Sequence, residues 1–349
     1  MRMLTALIVV VFVLMPGCTY FEGEEAVEQD IVVDAIRGCT DETAENYNQS
    51  AEEDDGSCVY PEPIFGCTDP NAMNYDEAAT DDDGSCEYME TEPCNGMIIL
   101  CHRPYDEVTF PETHNAFSTH EDNIFYPASN HRTGFQAQWN AGMRAFMLDT
   151  HYADPSNPNA DGDRFCHGNS GGAINPCSYG SVDARAWLSA LQNHMLSAPY
   201  DVVTLLIENY VEPAHLHEVL NDSGLMEHVF VHGLDEPWPT LREMIQNGER
   251  MVVFWEQSSD EAFPWFHDFL THSWTTAYAE ESKEEMDCNP HRGDESQEVF
   301  HMNNWLSGPF GLSSPNNAEE TNDPEFLVER AVECWQMNGK RPTFVAVDW

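Results

Sequence analysis

Residues 201–213 read DVVTLLIENYVEP, and that stretch sets the fold class. From Val202 to Ile207 the run is apolar and rich in β-branched side chains, with the length of a strand covered on both faces. Polarity returns abruptly at Glu208-Asn209. Working outward, the same texture recurs. Ala145 to Leu148 runs into Asp149-Thr150-His151, Arg164-Phe165-Cys166 into His167-Gly168, and Thr343 to Val347 into Asp348. Thr109-Phe110 leads to Thr113-His114-Asn115, and Met251 to Trp255 is a further β-rich run.

Helical signals fall between these runs. Ala184, Trp187, Leu188 and Leu191 share one face at helical spacing. Thr240-Leu241-Arg242-Glu243 makes a capping box with Asn247-Gly248 as its stop, and Phe326 to Met337 is a further helix ended near Gly339. Strand–helix order sustained over about 250 residues predicts a parallel β/α barrel. No glycine-rich nucleotide loop follows any strand, which weighs against a doubly wound sheet. The expected fold is therefore α/β, a TIM-like (β/α) barrel over residues 95–349, preceded by two small disulfide-clipped repeats.

Those repeats are read directly. Residues 38–60 are GCTDETAENYNQSAEEDDGSCVY and residues 66–88 are GCTDPNAMNYDEAATDDDGSCEY. Self-similarity at a fixed offset means two copies of one structural unit. A unit so small cannot bury a core, so a disulfide is its natural staple. Their Glu53-Asp54-Asp55-Gly56 and Asp81-Asp82-Asp83-Gly84 turns offer oxygens to calcium, or simply form a solvated spacer.

Ahead of the repeats, Arg2 precedes an apolar run from Leu4 to Met15 that ends at Pro16-Gly17-Cys18. The run is too short to span a bilayer and reads as the core of a signal peptide over residues 1–17. A small residue before cysteine resembles a bacterial lipoprotein cleavage site, so Cys18 is the expected lipidation site, with residues 18–37 as an acidic tether. Thr19 after the cysteine points to outer-membrane or surface sorting. Ten further cysteines in an exported chain imply disulfides. Proximity along the chain suggests Cys39–Cys58, Cys67–Cys86, Cys94–Cys101, Cys166–Cys177 and Cys288–Cys334.

Composition excludes some roles. The 349 residues carry 62 Asp and Glu against 14 Lys and Arg, a formal charge of −48, and such a field repels nucleic-acid backbones. The 41% hydrophobic content supports a packed core and excludes global disorder.

In β/α barrels chemistry sits at the carboxyl ends of the strands. Those ends here carry His114, Asn115, Asp149, His151, His167, Glu208, Asn209 and Asp348. One such residue alone is a routine loop or cap residue; together they form a candidate site. His102, His120, His131, His194, His215, His217 and His228 are read as loop or cap residues.

In order along the chain, TFPETHNAF, QAQWNAGMRAFMLDTHY, RFCHGN, DVVTLLIENYVEP, LNDSGLMEHVF, WPTLREMIQNGERMVVF and PTFVAVDW resemble the signatures of the phosphatidylinositol-specific phospholipase C X domain. The likeness covers roughly residues 100–349 and is nearest to the secreted plant and fungal X-domain proteins. It implies a TIM-like barrel, often incompletely closed, and phosphodiester cleavage assisted by two histidines. By that resemblance His114 is the first histidine, a base or phosphate contact, and His167 the second, a general acid. Asp348 is placed to orient a histidine. Asn115, Asp149 and Glu208 match three calcium-ligand positions of the eukaryotic pattern, and Met147 stands at the fourth. Ca²⁺ is the cofactor so implied.

Cations for reading a headgroup are scarce, with Lys283 and Arg292 the candidates in the 280–300 loop. An uncharged headgroup on a single phosphodiester is the expected target, in a phospholipid or a related glycerophosphodiester. The competing reading is an inactive surface lipoprotein that binds a ligand or adheres, and Met147 is the residue that favours it.

Overall fold

Period-two alternation along each strand decides which side chains enter the barrel. In the computed structural model of the protein, residues 35–86, 92–125, 129–154, 156–157, 162–167, 176–256, 262–278, 280–308 and 314–349 are described. The expected signal peptide, Cys18 and most of the tether lie outside them.

Eleven strands form the main sheet. They are β1 (Phe110–Thr113), β2 (Ala145–Tyr152), β3 (Asp163–Phe165), β4 (Val182–Asp183), β5 (Val203–Asn209), β6 (Met251–Trp255), β7 (Phe266–Asp268), β8 (Ser273–Thr275), β9 (Arg292–Gly293), β10 (Val299–Asn303) and β11 (Phe344–Val347). The hydrogen-bonded order is β7-β6-β5-β2-β1-β11-β10-β8-β9, with β3 and β4 branching from β2. Every pairing from β7 to β8 along this path is parallel; β9 on β8 and β3 on β2 are antiparallel.

The sheet takes the incompletely closed form of the TIM-like barrel that the resemblance allowed. The sheet curls but stays open between β7 and the β8–β9 pair. The reason is local. Only the four residues of Phe269–His272 separate β7 from β8, whereas parallel neighbours need a crossover of a dozen residues or more. These two strands therefore cannot pair with each other, and each becomes part of an edge.

Helices cover the outer face, among them α1 (Phe135–Asn140), α2 (Ala184–Ser197) and α3 (Pro213–Ser223). Val203, Leu205 and Ile207 of β5 pack there with Trp187, Leu188 and Leu191 of α2. The alternate residues face inward, where Leu206, Val252, Phe254, Phe110 and Phe344 form a second apolar cluster. Thr240 caps α4 (Leu241–Asn247) in a full capping box, and Gly248 ends it at φ 78°, a conformation that suits glycine. The last helix, Pro324–Asn338, is stopped by Gly339.

Among the described residues the disulfides are Cys39–Cys58, Cys67–Cys86, Cys94–Cys101, Cys166–Cys177 and Cys288–Cys334. In the first repeat Arg37–Gly38 pairs in parallel with Glu53–Asp54. Its acidic turn folds onto its own backbone: Asp54 accepts from the Gly56 N–H at 3.2 Å and Asp55 from the Ser57 N–H at 2.9 Å. The second repeat makes the same two bonds with Asp82 and Asp83.

Candidate active site

Counting by twos from the inward apolar residues leads to the polar rim. Phe110 and Glu112 point inward on β1 and His114 follows; Phe344 and Ala346 on β11 lead to Asp348; Met147 on β2 leads to Asp149; Leu206 on β5 leads to Glu208. The same count along β6, through Val252 and Phe254, reaches Glu256.

His114 is the most constrained of these. Its Nδ1 lies 2.9 Å from Asp348 Oδ1, and the Asp348 side chain is buried. That oxygen also accepts from Asn130 Nδ2 at 3.1 Å. With Nδ1–H donated to the carboxylate, Nε2 keeps its lone pair, and Asn115 Nδ2 sits 3.2 Å from it. Trp305 stacks on the ring at 3.9 Å with an interplanar angle of 8°. Below it, His131 Nε2 bonds the His114 carbonyl at 2.5 Å. Burial pushes the His131 imidazole down to about 4, so it stays a neutral donor. Asn115 adopts φ 47°, left-handed backbone that asparagine tolerates, and turns the chain off β1.

Asp149 and Glu208 are register partners on adjacent strands. The Glu208 carboxylate accepts the hydroxyl of Tyr210, and the Tyr210 ring stacks on His151 at 4.4 Å. Burial, the bond to Glu208 and the charges of Glu208, Asp149 and Glu256 all push the Tyr210 hydroxyl up, so it remains protonated. His167 is half-buried. It follows Cys166, whose N–H donates to the Asp149 carbonyl at 3.2 Å, which sets the residue alongside the middle of β2.

The expected calcium donors are one amide, on Asn115, and two carboxylates, with the thioether of Met147 inward beside them. Glu208 is already engaged by Tyr210. Among the described residues no three His, Cys, Asp or Glu side chains come together to hold a metal ion. Asn115, Asp149 and Glu208 offer oxygens of the kind calcium takes and would be the residues to hold it; no step below runs through a metal.

Sequence reasoning missed Asn130, His131 and Trp305, which come from loops without periodicity. It also missed Glu256, which the period-two count along Met251–Trp255 would have found. Glu256 Oε1 pairs with Arg292 Nη2 at 3.0 Å. Burial pushes its carboxyl up; Arg292 and His114 pull it back while Glu208 adds to the rise. Of the two candidate cations, Lys283 lies against Phe326, 4.7 Å from the ring centroid, leaving Arg292 at the rim.

Residues 100–349 match the family model described as PI-PLC X 1. Among curated proteins, the chain is 26% identical over 282 residues to an uncharacterized secreted protein of Arthroderma benhamiae, covering 74% of this chain and 60% of that protein. It is 27% identical over 241 residues to PI-PLC X domain-containing protein 1 of the same fungus, covering 64% and 72%. PI-PLC X domain-containing protein At5g67130 of Arabidopsis thaliana is 26% identical over 265 residues, covering 70% and 58%. Among solved structures, a mutant of the phosphatidylinositol-specific phospholipase C of Staphylococcus aureus superposes with a TM-score of 0.48 at 13% identity, covering 71% of this chain and 88% of that one. Since the match runs unbroken from residue 100 to residue 349, the chain belongs to the PI-PLC X family.

Proposed function

We propose that this protein is an exported phospholipase C-like phosphodiesterase that cleaves the phosphodiester bond of a phospholipid with an uncharged polyol headgroup. The observation that carries the reading is the Asn130–Asp348–His114 chain: a proton held on Nδ1 toward the carboxylate would leave Nε2 to act as the base. In the proposed reaction His114 Nε2 takes the proton of the headgroup hydroxyl next to the phosphate. That oxygen attacks phosphorus, the bond from phosphorus to the lipid oxygen breaks, and His167 protonates the departing alkoxide. Asp348 balances the imidazolium as it forms.

The same reading puts the protein outside the cytoplasm, where five disulfides persist, and holds it at a membrane through a lipid on Cys18.

The test is hydrolysis of a phospholipid panel by the purified protein, with and without chelator, beside His114→Ala and His167→Ala. Release of a phosphorylated headgroup, lowered about 10²-fold or more in each variant, is the expected result. No turnover of any lipid by a folded protein would favour the ligand-binding alternative. The chelator arm reads calcium dependence in the same assay.

A further inference from the structure

The open seam of the barrel is bridged by an ion pair. Glu256 follows β6 on one side of the seam, and Arg292 stands on the edge strand β9 on the other. Arg292 is positioned with care. Its strand pairs antiparallel with β8, Arg292 opposite Thr275 and Gly293 opposite Trp274. Gly293 has φ 91°, and a Cβ there would lie 2.1 Å from the Ser273 carbonyl oxygen, so the approach admits only glycine. The guanidinium lies over the Tyr278 ring at 4.6 Å.

A structural clasp needs little more than one donor–acceptor pair, and Nη2 supplies it. Arg292 Nε is buried without a hydrogen-bond partner among the described residues, and the side chain as a whole is 32% exposed. Three other barrel arginines are spent on the scaffold: Arg144 on Asp201, Arg250 on the carbonyls of Met195 and Asp201, Arg330 on the carbonyls of Asp287 and Asn303. In a chain of charge −48, a phosphodiester anion meets repulsion everywhere unless a local cation receives it.

We propose that Arg292 is the residue that binds the phosphoryl oxygens of the substrate, with Glu256 and Tyr278 holding its fork toward the rim. This rests on the phosphodiesterase reading and adds a source of positive charge carried by the chain itself. Guanidinium suits the role because its planar fork matches two phosphoryl oxygens at once. The Glu256 N–H donates to the Ile207 carbonyl at 3.0 Å, which seats Glu256 beside Glu208 on the same rim.

The experiment compares wild type, Arg292→Ala, Arg292→Lys and Glu256→Ala. Hydrolysis of dihexanoyl phosphatidylinositol, binding of inorganic phosphate by calorimetry and the thermal midpoint are measured on each. Arg292→Ala is expected to lower kcat/KM about 10²-fold and weaken phosphate binding at least tenfold. The lysine variant should recover part of both. Glu256→Ala removes one of the groups that hold the guanidinium and is expected to weaken phosphate binding, by less than Arg292→Ala does, at an unchanged midpoint. If both alanine variants lose activity in step with a lowered midpoint, the pair is a clasp and the proposal is overturned. Unchanged kcat/KM and unchanged phosphate binding in Arg292→Ala overturn it as well. Should wild type and His114→Ala both be inactive, the phosphodiesterase reading fails by itself and phosphate binding alone decides on Arg292: weakened binding in the alanine variant upholds an anion site, and equal or absent binding in both sinks it.

Discussion

Asp348 acts through His114, because its buried Oδ1 takes both the imidazole Nδ1–H and the Asn130 amide. Asp348→Asn keeps the shape and removes the charge that balances an imidazolium, so kcat should fall about 10²- to 10³-fold with little change in KM. Initial rates across substrate concentration check this. A second residue-scale effect concerns pH. Burial pushes His267 down to about 3; its ring accepts the His232 N–H and bonds the Val253 carbonyl, with His272 nearby. The unfolded chain, with histidine near 6.5, takes up a proton that the fold refuses. The contribution of the neutral ring to stability is thus full above about pH 6.5 and is lost as pH falls toward 3. Asp106, pushed up to about 6 by burial, pulls the other way, so a difference measurement is needed. Unfolding free energies of wild type and His267→Gln from urea titrations should converge by on the order of 1–2 kcal/mol between pH 7 and pH 5. A gap that stays constant over that range contradicts the assignment. At this scale the rim residues that continue a strand's alternation were readable, as His114, Asp149, Glu208 and Asp348 show. Asn130, His131 and Trp305 were not, since what places them is tertiary contact with His114 rather than any pattern along the chain.

Strands decide more than helices here. The runs at 145–148, 202–207 and 251–255 are visible in sequence because residues buried on both faces leave an unbroken apolar record. The resemblance allowed an open seam, but its place was not visible, because it follows from the length of the Phe269–His272 connection and from the sheet neighbours of β7 and β8, which no local signal encodes. The β8–β9 hairpin was hidden for a related reason: β9 is only Arg292–Gly293, too short to show a period. Its dependence on glycine gives a direct check. Gly293→Ala forces a side chain against the Ser273 carbonyl at a positive φ, and stability should fall by more than about 1 kcal/mol. Hydrolysis should fall with it, as Arg292 loses its place, and denaturant midpoints alongside rates would show both. A variant as stable and active as wild type would mean that this hairpin is not built as described.

At the scale of the whole molecule, the acidic charge bears on what the protein can approach, and the disulfides on where it can persist. Ten cysteines paired in the structure agree with a compartment that keeps disulfides. The repeats were legible because duplication is a property of sequence itself, and the structure gives both the same turn bonds. Their turns spend acidic side chains on their own backbone. The barrel's chemistry is the central claim, and attack by a headgroup hydroxyl leaves a distinctive product. The measurement that tests it most directly is ³¹P spectroscopy of dihexanoyl phosphatidylinositol incubated with the protein. With wild type the diester signal is expected to give way to that of a cyclic phosphodiester, and with His114→Ala the substrate signal should stay unchanged over the same time. A substrate signal that persists with wild type, or a cyclic product formed equally by His114→Ala, would contradict that claim.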